Sequence, residues 1–254
     1  MILRPAPHLS ESDPSESPQS VIDRVNEWEA FIRLHAPELL TQSEFQDWSI
    51  EVSAVPRLYA GSLSLEIDFD KNVRDYARKS KGKKEVFARA LGAKQSGTRV
   101  LDLSMGLGID AVFARSLGFE VTGLERNPVM YLLLNQAIHQ TQREDLQGMK
   151  VLFGDIRTLV ESGNLNLDQF EILYFDPMYP EVKNKSALPR KEMQIFRALI
   201  GGDGDSREVL QFVRSHFSGR IVVKRPLKAE DLGENPIHRF LGTTVRYDLY
   251  RGGL

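Results

Sequence analysis

The residues best equipped for chemistry form one run, Asp176-Pro177-Met178-Tyr179-Pro180, directly after the almost wholly apolar Ile172 to Phe175. A short apolar stretch of this kind reads as a central buried strand, which sets the run at the mouth of a sheet. A carboxylate, two prolines and an aromatic ring there make a rigid, polar, flat-faced pocket. The exocyclic amine of a nucleic-acid base is a poor nucleophile because its lone pair is delocalised into the ring. Hydrogen bonds from such an amine to the Asp176 carboxylate and the Pro177 carbonyl would draw the pair out of conjugation and aim it at an activated methyl group. Tyr179 would stack on the base, turned out of any helix it occupied. Asp176, Pro177 and Tyr179 are therefore the candidate catalytic residues. The plainer reading is a proline-rich turn with an incidental aspartate.

A second run, Asp102-Leu103-Ser104-Met105-Gly106-Leu107-Gly108-Ile109-Asp110-Ala111, reads as a strand end, a glycine turn and a helix start. Glycines let the backbone turn sharply and approach a ligand closely. Glu125 stands nineteen residues after Gly106 and directly after the next strand, where a carboxylate can accept hydrogen bonds from ribose hydroxyls. Gly106-x-Gly108-x-x-Ala111 alone also satisfies a dinucleotide fingerprint. Asp102 shifts the balance, because a carboxylate there suits the cationic methionine end of S-adenosylmethionine and would repel a pyrophosphate. Asp155, after a third strand, is placed to meet an adenine amino group. The candidate cofactor contacts are Asp102, Ser104, Gly106, Gly108, Asp110, Glu125, Arg126, Asp155 and Asp176. For Asp102 and Asp155 the plainer role is to cap a turn or a helix. Asn127 and Pro128 fit N-cap and N1 and set where the helix after Glu125 begins.

These residues need a frame. From Arg99 onward, β-rich runs at 99 to 103, 120 to 124, 150 to 154, 171 to 175, 220 to 224 and 244 to 250 alternate with helical patterns near 109 to 117, 128 to 141, 189 to 200 and 206 to 216. The alternation predicts an α/β fold, a parallel Rossmann-like sheet covered by helices on both faces. Upstream, the first twenty residues hold Pro5, Pro7, Pro14 and Pro18 among serines and read as a flexible leader. Val21, Val25, Trp28 and Phe31 or Ile32 then recur at helical spacing, opening a small N-terminal segment over 21–70; the catalytic domain is expected over 71–254. Val86, Phe87, Ala90 and Leu91 mark a helix that ends at Gly92, a C-cap.

Without cysteine, the chain has no disulfide, thiolate zinc site or thiol nucleophile. The net charge of -2 is unevenly spread: residues 1 to 51 carry ten acidic and three basic side chains, leaving 30 basic against 25 acidic in the remainder. Residues 71 to 84 hold seven basic side chains with only Asp75 opposing them. Such asymmetry suits a polyanionic partner, although a solvated surface would look the same. Arg78, Lys79, Lys83, Lys183, Lys185, Arg190, Lys191, Lys224 and Arg225 are the candidate RNA phosphate contacts. No apolar run is long enough to span a bilayer, so a cytoplasmic protein with no membrane partner is expected. The chemistry proposed for Asp176 also requires no metal.

Taken in order, LDLSMGLGIDA, LERNP, YFDPMYP, KSAL-x-RKEMQIFRALIG, VVKRP and RYDLY resemble the ribosomal RNA small subunit methyltransferase J family, over about Ile67 to Tyr250. The resemblance implies a class I methyltransferase sheet with a last antiparallel strand. It also implies cofactor contacts at the loop of Gly106 and Gly108, at Glu125 and Arg126, and at Asp176. The implied activity is S-adenosylmethionine-dependent methylation of the N2 amine of a guanosine in 16S ribosomal RNA, on free RNA or the small subunit. Three readings compete with it. An adenine-N6 methyltransferase is disfavoured by Met178, which stands where that group commonly has a second proline. A nicotinamide oxidoreductase would bind NADH in preference to S-adenosylmethionine. A nonenzymatic RNA-binding module would leave methylation untouched by Asp176→Ala.

Overall fold

A computed structural model describes residues 1–7, 17–71, 81–92, 97–178, 191–202 and 204–253, the side chains of 81–84 and 191 excepted. Two compact units divide them: one comprises 1–69, 127–142 and 181–201, the other 70–126, 143–180 and 202–254. The first unit thus draws in two stretches expected to belong wholly to the catalytic domain.

In the first unit, strands β1 (Ile2–Pro5), β2 (Trp48–Val52), β3 (Arg57–Ala60) and β4 (Leu63–Glu66) form one sheet in that order, with β1 parallel to β2 and the other pairs antiparallel. The expected leader is corrected at both of its described ends. Ile2–Pro5 is a paired strand, with its proline where an edge tolerates a missing donor. Helix α1 (Pro18–His35) already begins at Pro18, capped by the Ser17 side chain on the Ser20 amide at 3.1 Å. Val21, Trp28 and Ile32 of α1 are buried, which is the anticipated stripe. A short helix α2 (Glu38–Thr41) follows.

The second unit holds the sheet that matters for chemistry. Its strands are β5 (Arg99–Asp102), β6 (Glu120–Glu125), β7 (Lys150–Phe153), β8 (Ile172–Phe175), β9 (Arg220–Pro226), β10 (His238–Leu241) and β11 (Val245–Arg251), in the order β10-β11-β9-β8-β5-β6-β7. β5 to β9 run parallel, and β11 is antiparallel to both β9 and β10. This is the α/β, mostly parallel sheet expected; β10 was not foreseen.

Helices α3 (Lys81–Leu91), α4 (Ile109–Ser116), α6 (Ile156–Glu161) and α8 (Ser206–His216) belong to this unit, and α5 (Pro128–Gln140) and α7 (Lys191–Ile200) to the first. Side chains alternate across a strand, so each strand serves two helix layers. Leu101, Leu173, Phe175, Ile221, Val223 and Tyr250 pack with Ile156 of α6 and Val209, Leu210 and Val213 of α8. On the opposite face Phe87 of α3 meets Phe113 of α4, Tyr174 and Tyr247, with ring centroids 5.2, 5.3 and 5.5 Å away. Gly92 ends α3 at φ +77, as a C-cap glycine should.

Gly123, in the middle of β6, faces the glycine turn. A Cβ there would stand 2.2 Å from Met105 Sδ, so the turn packs on this strand only because the position is bare. Gly123→Ala is therefore expected to destabilise the protein by about 1–3 kcal/mol through over-packing. Denaturant unfolding checks this, and an unchanged midpoint would show that Met105 repacks without cost.

Candidate active site at the glycine turn

Parity and register bring the candidate residues together. Asp102 lies level with Tyr174 across β5 and β8. Phe175 is level with Val223 across β8 and β9, so Asp176 and Lys224, one residue further on, come side by side at the end of the sheet. Lys224 is in turn level with Tyr247. Asp102, Tyr174 and Lys224 all project on the face of α3 and α4.

The glycine turn is held by the strand ends beneath it. The Leu103 amide donates to the Tyr174 carbonyl at 2.8 Å and the Met105 amide to Leu124 at 3.0 Å. The Ser104 amide donates to Asp102 Oδ1 at 3.1 Å, and the Gly106 amide to Glu125 Oε2 at 3.2 Å. Gly108 caps α4 at φ 72, a left-handed conformation that strains any other residue type. Ser104 also reaches the acceptor side, where its Oγ accepts from the Asp176 amide at 2.8 Å. One hydroxyl thus joins the turn to the first residue of the Asp-Pro-Met run.

A tight charge cluster fills the corner. Lys224 Nζ bonds Asp110 Oδ2 at 2.7 Å and Asp176 Oδ2 at 2.8 Å, and the Tyr174 hydroxyl donates to Asp110 Oδ2 at 2.6 Å. Asp110 lies in the first turn of α4, where the helix dipole favours a negative charge. Asp102 is almost completely buried, and burial pushes its carboxyl up to about 8, helped by the like charges of Asp110 and Asp176. Burial by itself would lower the Lys224 ammonium, but Asp110 and Asp176 outweigh it and hold it well above its ordinary value. Burial raises the Tyr174 hydroxyl well above the ordinary phenol range, and Asp110 and Asp176 reinforce the effect. Asp176 is the open end of the cluster: its side chain is 33% exposed, against 17% for Asp110 and 20% for Lys224.

Along the same edge, Glu125 is buried beside the turn. Asp155 caps α6 and is gripped by Arg157 on both oxygens, at 2.9 and 2.8 Å, which holds its carboxyl below the usual range. Arg157 and Arg126 meet on Asp205, at 2.6 and 3.1 Å. The sequence alone indicated neither ion pair.

Asp102, Ser104, Gly106, Gly108, Asp110, Glu125, Asp176 and Pro177 thus fall within one continuous arrangement, with Arg126 and Asp155 beside it. The expectation of open phosphate contacts at Lys224 and Arg225 is corrected. The Lys224 ammonium is held between two acidic side chains that would repel a phosphate, and Arg225 is buried with its guanidinium on the Glu230 carbonyl. Tyr179, Arg78, Lys79, Lys183, Lys185 and Arg190 lie outside the described residues; Lys83 and Lys191 fall in α3 and α7, their side chains likewise outside. Among the described residues no helix is long and apolar enough to cross a membrane.

The donor set suits a cationic nucleoside. Asp102 and Glu125 end β5 and β6 and Asp155 follows β7, the neighbouring strand; Glu125 and Asp155 offer acceptors to a ligand, a cation would favour the ionised form of Asp102, and the turn between them has glycines where the backbone bends left-handed. That combination fits the ammonium, sulfonium and ribose hydroxyls of S-adenosylmethionine.

Comparison with known proteins bears on the same residues. A family model described as "Putative SAM-dependent methyltransferase" matches residues 37–252. A Bdellovibrio bacteriovorus protein named ribosomal RNA small subunit methyltransferase J is 41% identical over 235 residues, 92% of each chain. A protein of the same name from Legionella pneumophila (strain Corby) is 39% identical over 175 residues, 68% of this chain and 70% of its own. Both the family model and the first relative extend the similarity toward the N-terminus beyond Ile67. Among solved structures, a SAM-dependent methyltransferase from Neisseria gonorrhoeae superposes with a TM-score of 0.66 at 23% identity, covering 99% of this chain and 95% of its own, and shares the fold.

The raised Asp102 carboxyl has a consequence for stability. The native protein keeps a proton there up to about pH 8 that the unfolded chain sheds near pH 3.8. This group's contribution is therefore fully present below about pH 4 and is lost as pH rises to about 8. Relative to Asp102→Asn, the unmodified protein should lose up to about 1.4 kcal/mol per pH unit within that window. Denaturant titrations across it measure the difference, and a stability gap that does not change with pH would contradict the assignment.

Proposed function

The chain belongs to the ribosomal RNA small subunit methyltransferase J family of S-adenosylmethionine-dependent enzymes, and from that premise we propose that it methylates the exocyclic N2 amine of a guanosine in 16S ribosomal RNA. The observation that carries this reading is the Ser104 link, which fixes Asp176 beside the glycine turn. Donor and acceptor positions then adjoin at the edge of one sheet.

In this reading, Asp102 and the backbone of Gly106 and Gly108 hold the methionine end of the cofactor, Glu125 takes the ribose hydroxyls and Arg126 flanks them. Asp155 reaches the adenine amine with the one lone pair that Arg157 leaves on its Oδ2 side. When bound, S-adenosylmethionine supplies a methyl group already activated on a sulfonium, so that the S–C bond breaks as the N–C bond forms. Asp176 accepts a hydrogen bond from the guanine amine, the Pro177 carbonyl accepts the second, and together they hold the lone pair out of the ring plane. The proton left on the methylated nitrogen passes to Asp176 or to water at its open face. Tyr179 stacks on the base, and the Arg78 to Lys83 and Lys183 to Lys191 stretches meet the phosphates. Such a protein would work in the cytoplasm, on free RNA or on the small subunit.

The test is labelled methyl transfer to unmethylated small-subunit RNA and particles, followed by nucleoside mass spectrometry. N2-methylguanosine is expected as the labelled product. Asp176→Ala should lower kcat by about 10²–10³-fold with little change in cofactor affinity. N6-methyladenosine would favour the adenine alternative, and full activity in Asp176→Ala would remove Asp176 from the chemistry.

A further inference from the structure

Lys224 takes no part in the mechanism just described, yet it is placed where it can govern it. Its ammonium bonds Asp176 at 2.8 Å on one side and Asp110 at 2.7 Å on the other. The groups that face it come from four elements: Asp102 on β5, Asp110 on α4, Tyr174 and the adjoining Asp176 on β8, and Tyr247 on β11. Three carboxyl groups and two phenols therefore surround this ammonium. Asp110 is anchored independently by the Tyr174 hydroxyl, so it fixes the lysine from behind. Asp176 is the most exposed member, the one a substrate can reach.

We propose that Lys224 is a positioning residue for methyl transfer, whose ammonium, anchored on Asp110, keeps the Asp176 carboxylate ionised and aimed at the acceptor amine. The proposal rests on Asp176 being the group that grips the amine. Two physical effects support it. Crowded carboxylates tend to share a proton, and an ammonium in contact with one of them favours its charged form. A protonated Asp176 would turn one amine acceptor into a donor. The same contact fixes one Asp176 oxygen and leaves the other to meet the amine.

The experiment compares Lys224→Met and Lys224→Arg with the unmodified full chain, as label incorporated from S-adenosylmethionine into unmethylated small-subunit particles between about pH 6 and 8.5. Lys224→Met is expected to lose at least about tenfold in kcat at neutral pH, with KM for S-adenosylmethionine changed less than kcat. Its acid limb should move up by about one pH unit or more, so that part of the loss returns at the alkaline end. Lys224→Arg, which keeps the charge, should retain the acid limb of the unmodified enzyme. A folded Lys224→Met whose pH profile superimposes on the unmodified one, at any amplitude, would overturn the proposal. So would a folded Lys224→Arg with a displaced limb, which keeps the test decisive if the methionine variant does not fold. Label counts methylation at any atom. A wrong acceptor atom would therefore appear in the nucleoside mass spectrum and leave the pH comparison intact.

Discussion

Three carboxyl groups are crowded around one ammonium at the end of a mostly parallel sheet, and the site is organised around that crowding. Removing charges from water is costly, and a buried pair repays the cost only when its geometry is good and its remaining hydrogen bonds are made. The cluster meets that condition unevenly. Asp110 has two donors on one oxygen and Lys224 has two acceptors, whereas Asp102 is met by one backbone amide and is pushed up to about 8. An arrangement that holds one carboxyl protonated and another ionised within a single corner is poor for stability. It is well suited to receiving a cationic cofactor next to a polar substrate.

The fold delivers this corner through period-two alternation and the register of three strands. Once Asp102, Tyr174 and Lys224 share a face, the aromatic packing of Phe87, Phe113 and Tyr247 forms the low-dielectric wall that strengthens every charge interaction beside it. The glycine turn is then seated by backbone bonds to β6 and β8, by the bare position at Gly123 and by the Ser104 hydroxyl. The glycine turn and Asp176 are consequently tied to the same strand ends, which is what the proposed in-line transfer between two bound molecules demands.

Much of this was legible from residue order. The β-rich runs from Arg99 onward fell on observed strands because a buried parallel strand is a short apolar block with clear flanks, and Asn127 and Gly92 marked helix ends through their own cap chemistry. Asp176 was legible because few residues follow a core strand in that combination. What escaped depended on pairing between distant segments. Lys224 read as a surface cation, since nothing in VVKRP states that its register neighbour is Asp176. Asp155 read as an adenine contact or a cap, and its neighbour Arg157 escaped notice because it grips Asp155 only once α6 has formed, where it also meets the distant Asp205. Ile2–Pro5 resembled a leader because four residues with a proline carry almost no periodic signal, and their strand exists only through β2.

The claim at the centre of this account is that Asp176 faces the acceptor amine while the glycine turn holds the donor. A crystal structure of the protein with S-adenosylhomocysteine and a guanosine-containing fragment of the small-subunit RNA measures it directly. The guanine N2 is expected at about 3 Å from an Asp176 carboxylate oxygen, with the cofactor sulfur on the far side of the nitrogen and the nucleoside against Glu125. A base bound elsewhere, or an amine directed away from Asp176 with the cofactor in place, would contradict the account.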